Sequence, residues 1–275
     1  MIIIRLKGGL GNQLFQYAYG IYMSRKYRLP LKFDKSNFIN SSRKYSLGWF
    51  NINIPEAPNP KKNLIIFIKN LIRKIKIKIY SYLGKIYNDT CSGEGIFEGY
   101  WHFIKYPESM KNKLQETIVP KRLSFSLNKI VKKLESHESV MIHVRKGDYL
   151  TNKKINKLFG TCDLSYYNNA IEEILKLFPN SKFYVFSDNV EWAKLNLKSK
   201  TKLKFISQYF SDTEQFWLMT RCKHHIISNS SFSWWAAWLG DHKKKITIYP
   251  EPWYDNLTYN KKIFPKHWLK RKKNG

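Results

Sequence analysis

Short runs rich in β-branched residues alternate along the chain with segments whose apolar residues recur at helical spacing. The run Ile2–Leu6 is followed by a glycine-rich turn and a helical pattern, and the run Val140–Val144 begins a second series of the same kind. Further runs of the strand type fall at 182–187, 225–228 and 246–249. Because strands joined through helices usually pair in parallel, this alternation predicts an α/β fold with parallel sheets.

The length of 275 residues is sufficient for two small α/β domains. A charged stretch that begins at Pro120 precedes the second strong strand. We therefore assign residues 1–135 to a first domain and residues 136–275 to a second. The Lys-rich end from Lys266 to Gly275 is expected to be a solvated tail.

The chain carries 49 Lys and Arg against 20 Asp and Glu, a formal net charge of +29. Such a balance favours anionic partners, namely nucleic acid, an anionic membrane or phosphorylated ligands. A general enrichment in Lys and Asn explains the same charge without any partner. The basic residues are spread along the chain and no nucleic-acid-binding motif is present, so nucleic acid is not the expected partner.

Residues 61–88 combine many lysines with apolar residues and contain no acid. The pattern predicts a basic amphipathic helix, which either lies on an anionic membrane or docks on its own domain with a solvated basic face. No apolar run is long enough to span a bilayer. No signal-peptide pattern is visible, and the three cysteines Cys91, Cys162 and Cys222 form no CxxC pair. We therefore expect a cytoplasmic protein, with peripheral membrane contact left open.

The segment His143-Val144-Arg145-Lys146-Gly147-Asp148-Tyr149 stands at the carboxyl end of a predicted strand. Ligands of open α/β sheets bind at that edge, and arginine is suited to bidentate phosphate binding. Asp148 either orients Arg145 or accepts a proton. An ordinary strand exit with a surface ion pair is the alternative interpretation.

Three hydroxyl side chains, Ser230, Ser231 and Ser233, stand before and within the first turn of a second predicted helix. The free N–H groups and the dipole of a helix N-terminus favour an anion such as phosphate. Simple capping of the helix is the alternative. The tryptophans that follow, Trp234, Trp235 and Trp238, are expected to pack in the core.

The glycine-rich turn Gly8-Gly9-Leu10-Gly11-Asn12-Gln13 is neither a GxGxxG fingerprint nor a P-loop. Asn12 and Gln13 offer amide hydrogen bonds to a substrate. No Asp-x-Asp pair and no HExxH motif are present. His224 and His225 point to opposite faces of a strand and are interpreted as structural residues, so no metal is expected.

Taken in order, these segments resemble the GDP-fucose α-1,2-fucosyltransferases of glycosyltransferase family 11. The resembling segments are Gly8–Ala18, His143–Tyr149, Phe186–Asp188 and Ile227–Leu239, with Gly99–Trp101 as a further match. They span nearly the whole chain, and the last is long enough to be highly specific.

The resemblance implies a GT-B-like fold with two Rossmann-like domains, of which the first meets the acceptor and the second holds GDP. It implies an inverting transfer of L-fucose from GDP-β-L-fucose to the 2-hydroxyl of a galactose residue of a glycan, as in surface polysaccharide synthesis. No metal and no cofactor are needed for such a reaction. The implied partners are GDP-fucose and an oligosaccharide or lipid-linked glycan acceptor.

The resemblance also implies roles for single residues. Arg145 would neutralise the β-phosphate, and Asn12 would lie at the sugar–phosphate junction. The implied catalytic residues are Arg145, Asp148, His143 and Asn12, with Asp148 as the first choice and His143 as the second choice for the general base. The implied donor-binding residues are Arg145, Ser230, Ser231, Phe232, Ser233, Asp188, Glu214, Gly9 and Gly11.

Three places depart from the family pattern. Lys146 replaces a second arginine, and Gln215 stands where an acid is expected, which leaves Asp212 or Glu214 as a substitute for the guanine contact. The segment from His102 to Lys105 also differs, so the acceptor is open. Another GDP-fucose transferase, with a different linkage or a peptide acceptor, is the alternative enzyme. A nucleic-acid-binding protein and a non-catalytic membrane scaffold are the alternatives of other classes, and the scaffold leaves the motifs unexplained.

Overall fold

The computed structural model describes residues 1–57, 94–146, 153–206, 209–256 and 261–274. The basic segment 61–88 and the residues Gly147 and Asp148 lie outside these described residues, so the predictions made for them stay predictions. The chain divides into two compact units, Met1–Val119 and Pro120–Gly275. In the described part of the chain, no helix combines the length and the apolar character needed to cross a membrane.

The first unit is built on a parallel sheet with the strand order β2-β1-β3. Its strands are β1 (Ile2–Arg5), β2 (Leu31–Asp34) and β3 (Gly95–Phe97), and its helices are α1 (Leu10–Tyr27), α2 (Lys105–Ser109) and α3 (Lys111–Thr117). Short 3-10 turns occupy Ser36–Phe38 and Leu47–Trp49. The central strand β1 is apolar and buried because it has a neighbour on each side. Gly20 lets α1 approach the sheet, since a Cβ there would lie 2.9 Å from the Ile4 side chain.

The second unit is built on a six-stranded parallel sheet, which confirms the predicted α/β class. Its strands are β4 (Ser139–Val144), β5 (Lys182–Ser187), β6 (Leu203–Phe205), β7 (His224–Ile226), β8 (Thr247–Glu251) and β9 (Leu269–Lys272). Its helices are α4 (Phe125–Glu135), α5 (Lys153–Phe159), α6 (Leu164–Leu177), α7 (Val190–Asn196), α8 (Asp212–Thr220) and α9 (Ser231–Leu239), and Lys261–Ile263 form a 3-10 turn.

The strand order of this sheet is β6-β5-β4-β7-β8-β9. The chain therefore moves outwards from β4 to β6, returns to the centre at β7, and moves outwards again on the other side. This is the doubly wound order, whose crevice opens between the carboxyl ends of the two central strands. The ends of β4 and β7 are consequently the expected place for a ligand.

Helix α4 joins the second unit, whereas the sequence placed residues 120–135 in the first domain. Its residues Leu127, Val131 and Leu134 are buried, and the carbonyl oxygen of Leu134 accepts a hydrogen bond of 2.7 Å from Ser139 Oγ. These buried residues recur at helical spacing between charged ones, so the charge of this segment belongs to the outer face of a docked helix. The division between the units lies at Val119 and Pro120.

The Lys-rich carboxyl end was predicted to be a solvated tail, and this prediction is wrong. Leu269–Lys272 is the edge strand β9, which pairs in parallel with β8. The Lys273 side chain is 0% exposed, forms an ion pair with Asp255, and donates a hydrogen bond of 3.0 Å to the carbonyl oxygen of Phe159. Lys270 and Lys272 lie on the exposed face of this edge strand, and the basic composition of the segment concealed the strand.

We expect Lys273→Met to lower the melting temperature more than Lys272→Met, a matched change at an exposed position. The first substitution removes the partner of Asp255, whereas the second removes a solvated charge. Asp255 keeps part of its solvent contact, so Lys273→Met should lower the free energy of unfolding by about 1–3 kcal/mol, less than the loss of a partner from a fully buried pair. Thermal unfolding of both variants provides the measurement, and equal melting temperatures would contradict the buried pairing.

Candidate active site

The carboxyl ends of β4 and β5 hold an arginine–aspartate pair. Arg145 follows β4, and its Nη1 lies 2.9 Å from Oδ2 of Asp188, which follows β5. The other carboxylate oxygen of Asp188 accepts a hydrogen bond of 2.9 Å from the backbone N–H of Lys146. The two side chains are 22% and 21% exposed, so the pair is partly shielded and still reaches solvent. Asp188 thus orients the guanidinium at the edge of the sheet where ligands bind.

His143 bridges the two central strands from a buried position. Its Nδ1 lies 2.7 Å from Oγ of Ser228, which follows β7, and the residue is only 4% exposed. The pKa of His143 is lowered to about 3, mainly by burial; Asp188 opposes this shift and Arg145 adds a smaller contribution to it. A neutral, buried imidazole of this kind is a weak base. The geometry therefore disfavours the predicted role of His143 as proton acceptor and indicates that it fixes the strand ends.

The serine-rich segment forms the N-terminus of α9, beside the end of β4. Oγ of Ser230 accepts a hydrogen bond of 3.3 Å from the backbone N–H of Phe232, and Ser230, Ser231 and Phe232 are all partly exposed. Ser233 differs, because its buried hydroxyl donates to the carbonyl oxygens of Ser228 and Ser230 at 3.3 and 3.2 Å. Direct contact of Ser233 with a donor is therefore corrected to a supporting role. The three tryptophans of α9 are buried, as predicted.

Two buried side chains fix the loop that follows α5. Nδ2 of Asn229 donates to the carbonyl oxygens of Phe159 and Gly160 at 2.9 and 3.0 Å. Nζ of Lys146 donates to Thr161 Oγ1 at 2.9 Å and lies 4.7 Å from the centroid of the Trp192 ring. Burial lowers the pKa of Lys146. The Lys146 side chain therefore points into the second unit. The structural role of Asn229, which lies in the serine-rich segment before α9, was not predicted from the sequence.

Glu214 caps the N-terminus of helix α8. Its Oε2 accepts a hydrogen bond of 2.8 Å from the backbone N–H of Ser211, and Ser211 Oγ accepts one of 3.4 Å from the N–H of Glu214. This reciprocal pair is a capping box, visible in the sequence as Ser-x-x-Glu. Gln215 donates to the carbonyl oxygen of Phe210 at 2.8 Å. Glu214 therefore caps its own helix and its donor contact stays a prediction, while Asp212 is the more exposed acid of this turn.

In the first unit, the glycine-rich turn after β1 is stabilised by a buried glutamine. Nε2 of Gln13 donates to the carbonyl oxygens of Gly8 and Lys44 at 2.9 Å each, and its Oε1 accepts a hydrogen bond of 2.9 Å from the N–H of Ser46. The predicted substrate contact of Gln13 is therefore wrong, because the fold uses its whole amide. Gly9 is the N-cap of α1, and Gly11 is buried in the first turn.

Asn12 lies in the first turn of α1, at the carboxyl end of β1. Its Oδ1 is 3.1 Å from Nε2 of His102, and its Nδ2 lies beside Gly8, 2.7 Å from the place of a Cβ on that residue. Of the two amides predicted to meet a substrate, Asn12 is the one that the fold leaves near the sheet edge. The His102 contact was not predicted, although the sequence marked this position as unusual.

The two adjacent histidines of β7 have separate partners, as expected. Nε2 of His224 contacts Glu138 Oε2 at 2.8 Å, while Nε2 of His225 donates to the carbonyl oxygen of Met219 at 3.0 Å. Among the described residues, no group of three or more His, Cys, Asp or Glu side chains is placed to hold a metal ion.

We expect Gly8→Ala to destabilise the first unit and Gly9→Ala to leave its stability unchanged. Gly8 has φ of +78° and its new Cβ would collide with Asn12, whereas a Cβ on Gly9 would meet no atom within 4 Å. A left-handed conformation alone costs an alanine roughly 1–2 kcal/mol. Thermal unfolding of the two variants tests this pair, and equal stability would show that the turn tolerates side chains at both positions.

The buried His143 predicts an acid-sensitive fold. Its pKa in the folded state, about 3, is lower than that of an unfolded histidine, so the unfolded chain binds the extra proton between pH 6.5 and 3. The free energy of unfolding therefore falls as the pH falls through this window, by at most roughly 1.4 kcal/mol per unit from this residue. Urea unfolding measures the loss of unfolding free energy between pH 7 and pH 5. This loss should be smaller for His143→Gln than for the wild type, and an identical loss would contradict the low pKa of His143.

The whole chain matches a known family and known relatives. The model of the family described as glycosyl transferase family 11 matches residues 1–272. The α-1,2-colitosyltransferase of Escherichia coli is 34% identical over 297 aligned residues, which cover 99% of each chain. The O-antigen biosynthesis glycosyltransferase WbnK of E. coli is 29% identical, with 90% of this chain and 93% of WbnK covered.

Among solved structures, the fucosyltransferase NodZ from Bradyrhizobium has a similar fold. It superposes with a TM-score of 0.53 at 14% identity, over 86% of this chain and 91% of NodZ. Together with the parallel sheets of both units, this likeness confirms the predicted α/β fold class of the GT-B-like type. The family match over nearly the whole sequence shows that the chain is a glycosyltransferase of family 11.

Proposed function

We propose that this enzyme transfers L-fucose from GDP-β-L-fucose to the 2-hydroxyl of a galactose residue, in an inverting reaction that needs no metal. The observation that carries the proposal is Arg145, braced by Asp188 at 2.9 Å on the sheet edge where the order of strands reverses. The N-terminus of α9 follows the neighbouring strand β7. A fixed guanidinium and a helix N-terminus together suit a nucleoside diphosphate.

The same groups suit the chemistry of the departing nucleotide. In a single displacement, the acceptor hydroxyl attacks the anomeric carbon while the bond to the β-phosphate breaks and negative charge develops on GDP. Arg145 and the partly exposed start of α9 at Ser230 and Ser231 would stabilise that charge, which is the task that a metal ion performs in other transferases. Gly9 and Gly11, in the turn beside Asn12, stay predicted contacts of the donor.

The acceptor proton needs a general base. Asp148 remains our first choice, because it stands three residues after Arg145 in the same segment. Its alternative role as a second brace of Arg145 stays open, because a guanidinium can pair with more carboxylates than that of Asp188. His143 is withdrawn as a candidate on the grounds of its burial and its low pKa.

A second donor is favoured by one observation. The E. coli relative that is 34% identical over the full chain is a colitosyltransferase, and colitose is L-fucose without its 3-hydroxyl. A site that hydrogen-bonds the 3-hydroxyl rejects the deoxy sugar, whereas a site that leaves it unbound accepts both. GDP-fucose is our first proposal and GDP-colitose the second.

The experiment compares transfer from GDP-fucose, GDP-colitose, GDP-mannose and UDP-galactose to a β-galactoside, each in the presence of EDTA. We expect transfer from GDP-fucose, with EDTA without effect. Transfer from GDP-colitose alone would replace the first proposal with the second. Transfer from neither 6-deoxy sugar, or complete inhibition by EDTA, would refute the proposed donor class or the metal-free mechanism.

Membrane contact through residues 61–88 is a separate proposal, motivated by their basic, acid-free composition. A lipid-linked glycan, such as a precursor of a surface polysaccharide, would make that contact useful. Binding to vesicles with anionic lipids should weaken when residues 61–88 are deleted, and unchanged binding would refute the idea.

A further inference from the structure

The chain turns sharply after β3 and delivers His102 to the first turn of α1. Trp101 adopts a left-handed conformation with φ of 45°, which is unfavourable for a bulky residue. Its ring stacks on Tyr19 of α1, with centroids 4.1 Å apart and planes within 6°. Two residues before Trp101, the Gly99 carbonyl oxygen accepts a hydrogen bond of 3.1 Å from Gln16 Nε2. The segment that carries His102 is thus held by α1 on both sides of the turn.

The His102 ring fits between aromatic neighbours and ends on an amide. Its centroid lies 4.7 Å from that of Phe15 and 5.7 Å from that of Tyr100, and its Nε2 lies 3.1 Å from Asn12 Oδ1. Burial lowers the pKa of His102 to about 4, so the ring is neutral at neutral pH. An amide oxygen only accepts hydrogen bonds, so the single ring proton belongs on Nε2.

This contact fixes which end of the Asn12 amide faces the edge of the sheet. With Oδ1 bound to His102, the NH₂ group lies beside Gly8, at the carboxyl end of β1. A donor N–H in that place can stabilise an oxygen atom on which negative charge develops. If the amide rotated, its oxygen would face the same atom and repel it.

We propose that His102 is a positioning residue, which holds the Asn12 amide so that its NH₂ group donates to a substrate oxygen at the carboxyl end of β1. The inference rests on the proposed function, because it takes a substrate of that reaction as the ligand of Asn12. His102 touches no reacting atom in this account, so its loss should lower kcat and leave the KM for the donor nearly unchanged.

The test compares His102→Phe, which keeps the ring packing and loses the N–H, with His102→Gln, which keeps an N–H donor. We expect His102→Phe to lower kcat by about 10- to 100-fold and His102→Gln to stay within about threefold of the wild type. In an Asn12→Ala background, His102→Phe should have no further effect. The matched control is His137→Phe, which removes a hydrogen bond of 2.9 Å to Tyr184 in the second unit and should leave kcat unchanged.

A second readout does not depend on activity. Spectra of the protein labelled with ¹⁵N-histidine should show His102 as the neutral tautomer protonated on Nε2, down to about pH 5. A proton on Nδ1, wild-type kcat in His102→Phe, or equal losses in the two His102 variants would overturn the inference. A wild-type enzyme without fucosyl transfer that nevertheless shows the Nε2 tautomer would refute the proposed function and leave the His102–Asn12 pairing intact.

Discussion

Arg145→Ala should reduce kcat/KM for fucosyl transfer by about a thousandfold or more. The substitution removes the fixed cation at the end of β4, where charge on the departing GDP is expected to develop. Arg145→Lys should recover little of this loss, because an ammonium group cannot reproduce the planar fork of donors that binds both Asp188 and a phosphate. Steady-state kinetics with GDP-fucose measures the loss of transfer, and titration calorimetry with GDP measures the loss of nucleotide binding.

The control for this series is Arg221→Ala. Arg221 is an exposed arginine of the same unit that pairs with Glu135 of helix α4. Its removal lowers the net charge by the same amount, so any general effect of charge on donor binding appears in both variants. Equal and small effects of the two substitutions would contradict a specific role for Arg145.

Asp188→Asn should lower kcat/KM by about a hundredfold while the protein stays folded. The amide oxygen can still accept the hydrogen bond from Lys146 N–H, so the end of β4 keeps its conformation. The amide NH₂ group cannot pair with Nη1 of Arg145, so the guanidinium loses the orientation that the 2.9 Å ion pair gives it. Kinetics and thermal unfolding, measured on the same sample, separate a loss of activity from a loss of stability.

Asp241→Asn is the matched control, because Asp241 is an exposed aspartate of the same unit. It should behave as the wild type. If Asp188→Asn had wild-type kinetics, the brace would have no function, and Asp148 would again be the residue to examine as the partner of Arg145.

The sequence was sufficient for the parallel α/β fold, because strand and helix periodicities are local properties. It also placed Arg145 and the serine-rich segment correctly at strand ends, since the rule that ligands bind at carboxyl ends needs only the order of elements. The strand order itself, which brings the ends of β4 and β7 together, follows from pairings between residues far apart in the chain.

The remaining features depend on such long-range contacts. The brace of Arg145 comes from Asp188 on the next strand, and no spacing rule predicts that partner. Gln13 was expected to face a substrate, but its amide closes a loop that returns at Lys44 and Ser46. Glu214 is an exception, because its capping box with Ser211 is local and could have been recognised from the sequence.

The most direct test of the central claim is one transfer reaction with the purified protein, GDP-β-L-fucose, a β-galactoside and EDTA, followed by NMR of the product. The account predicts an α-linked fucose on the 2-hydroxyl of galactose, formed by the wild type and not by Arg145→Ala. A β-linked product, or equal transfer by the two proteins, would contradict it.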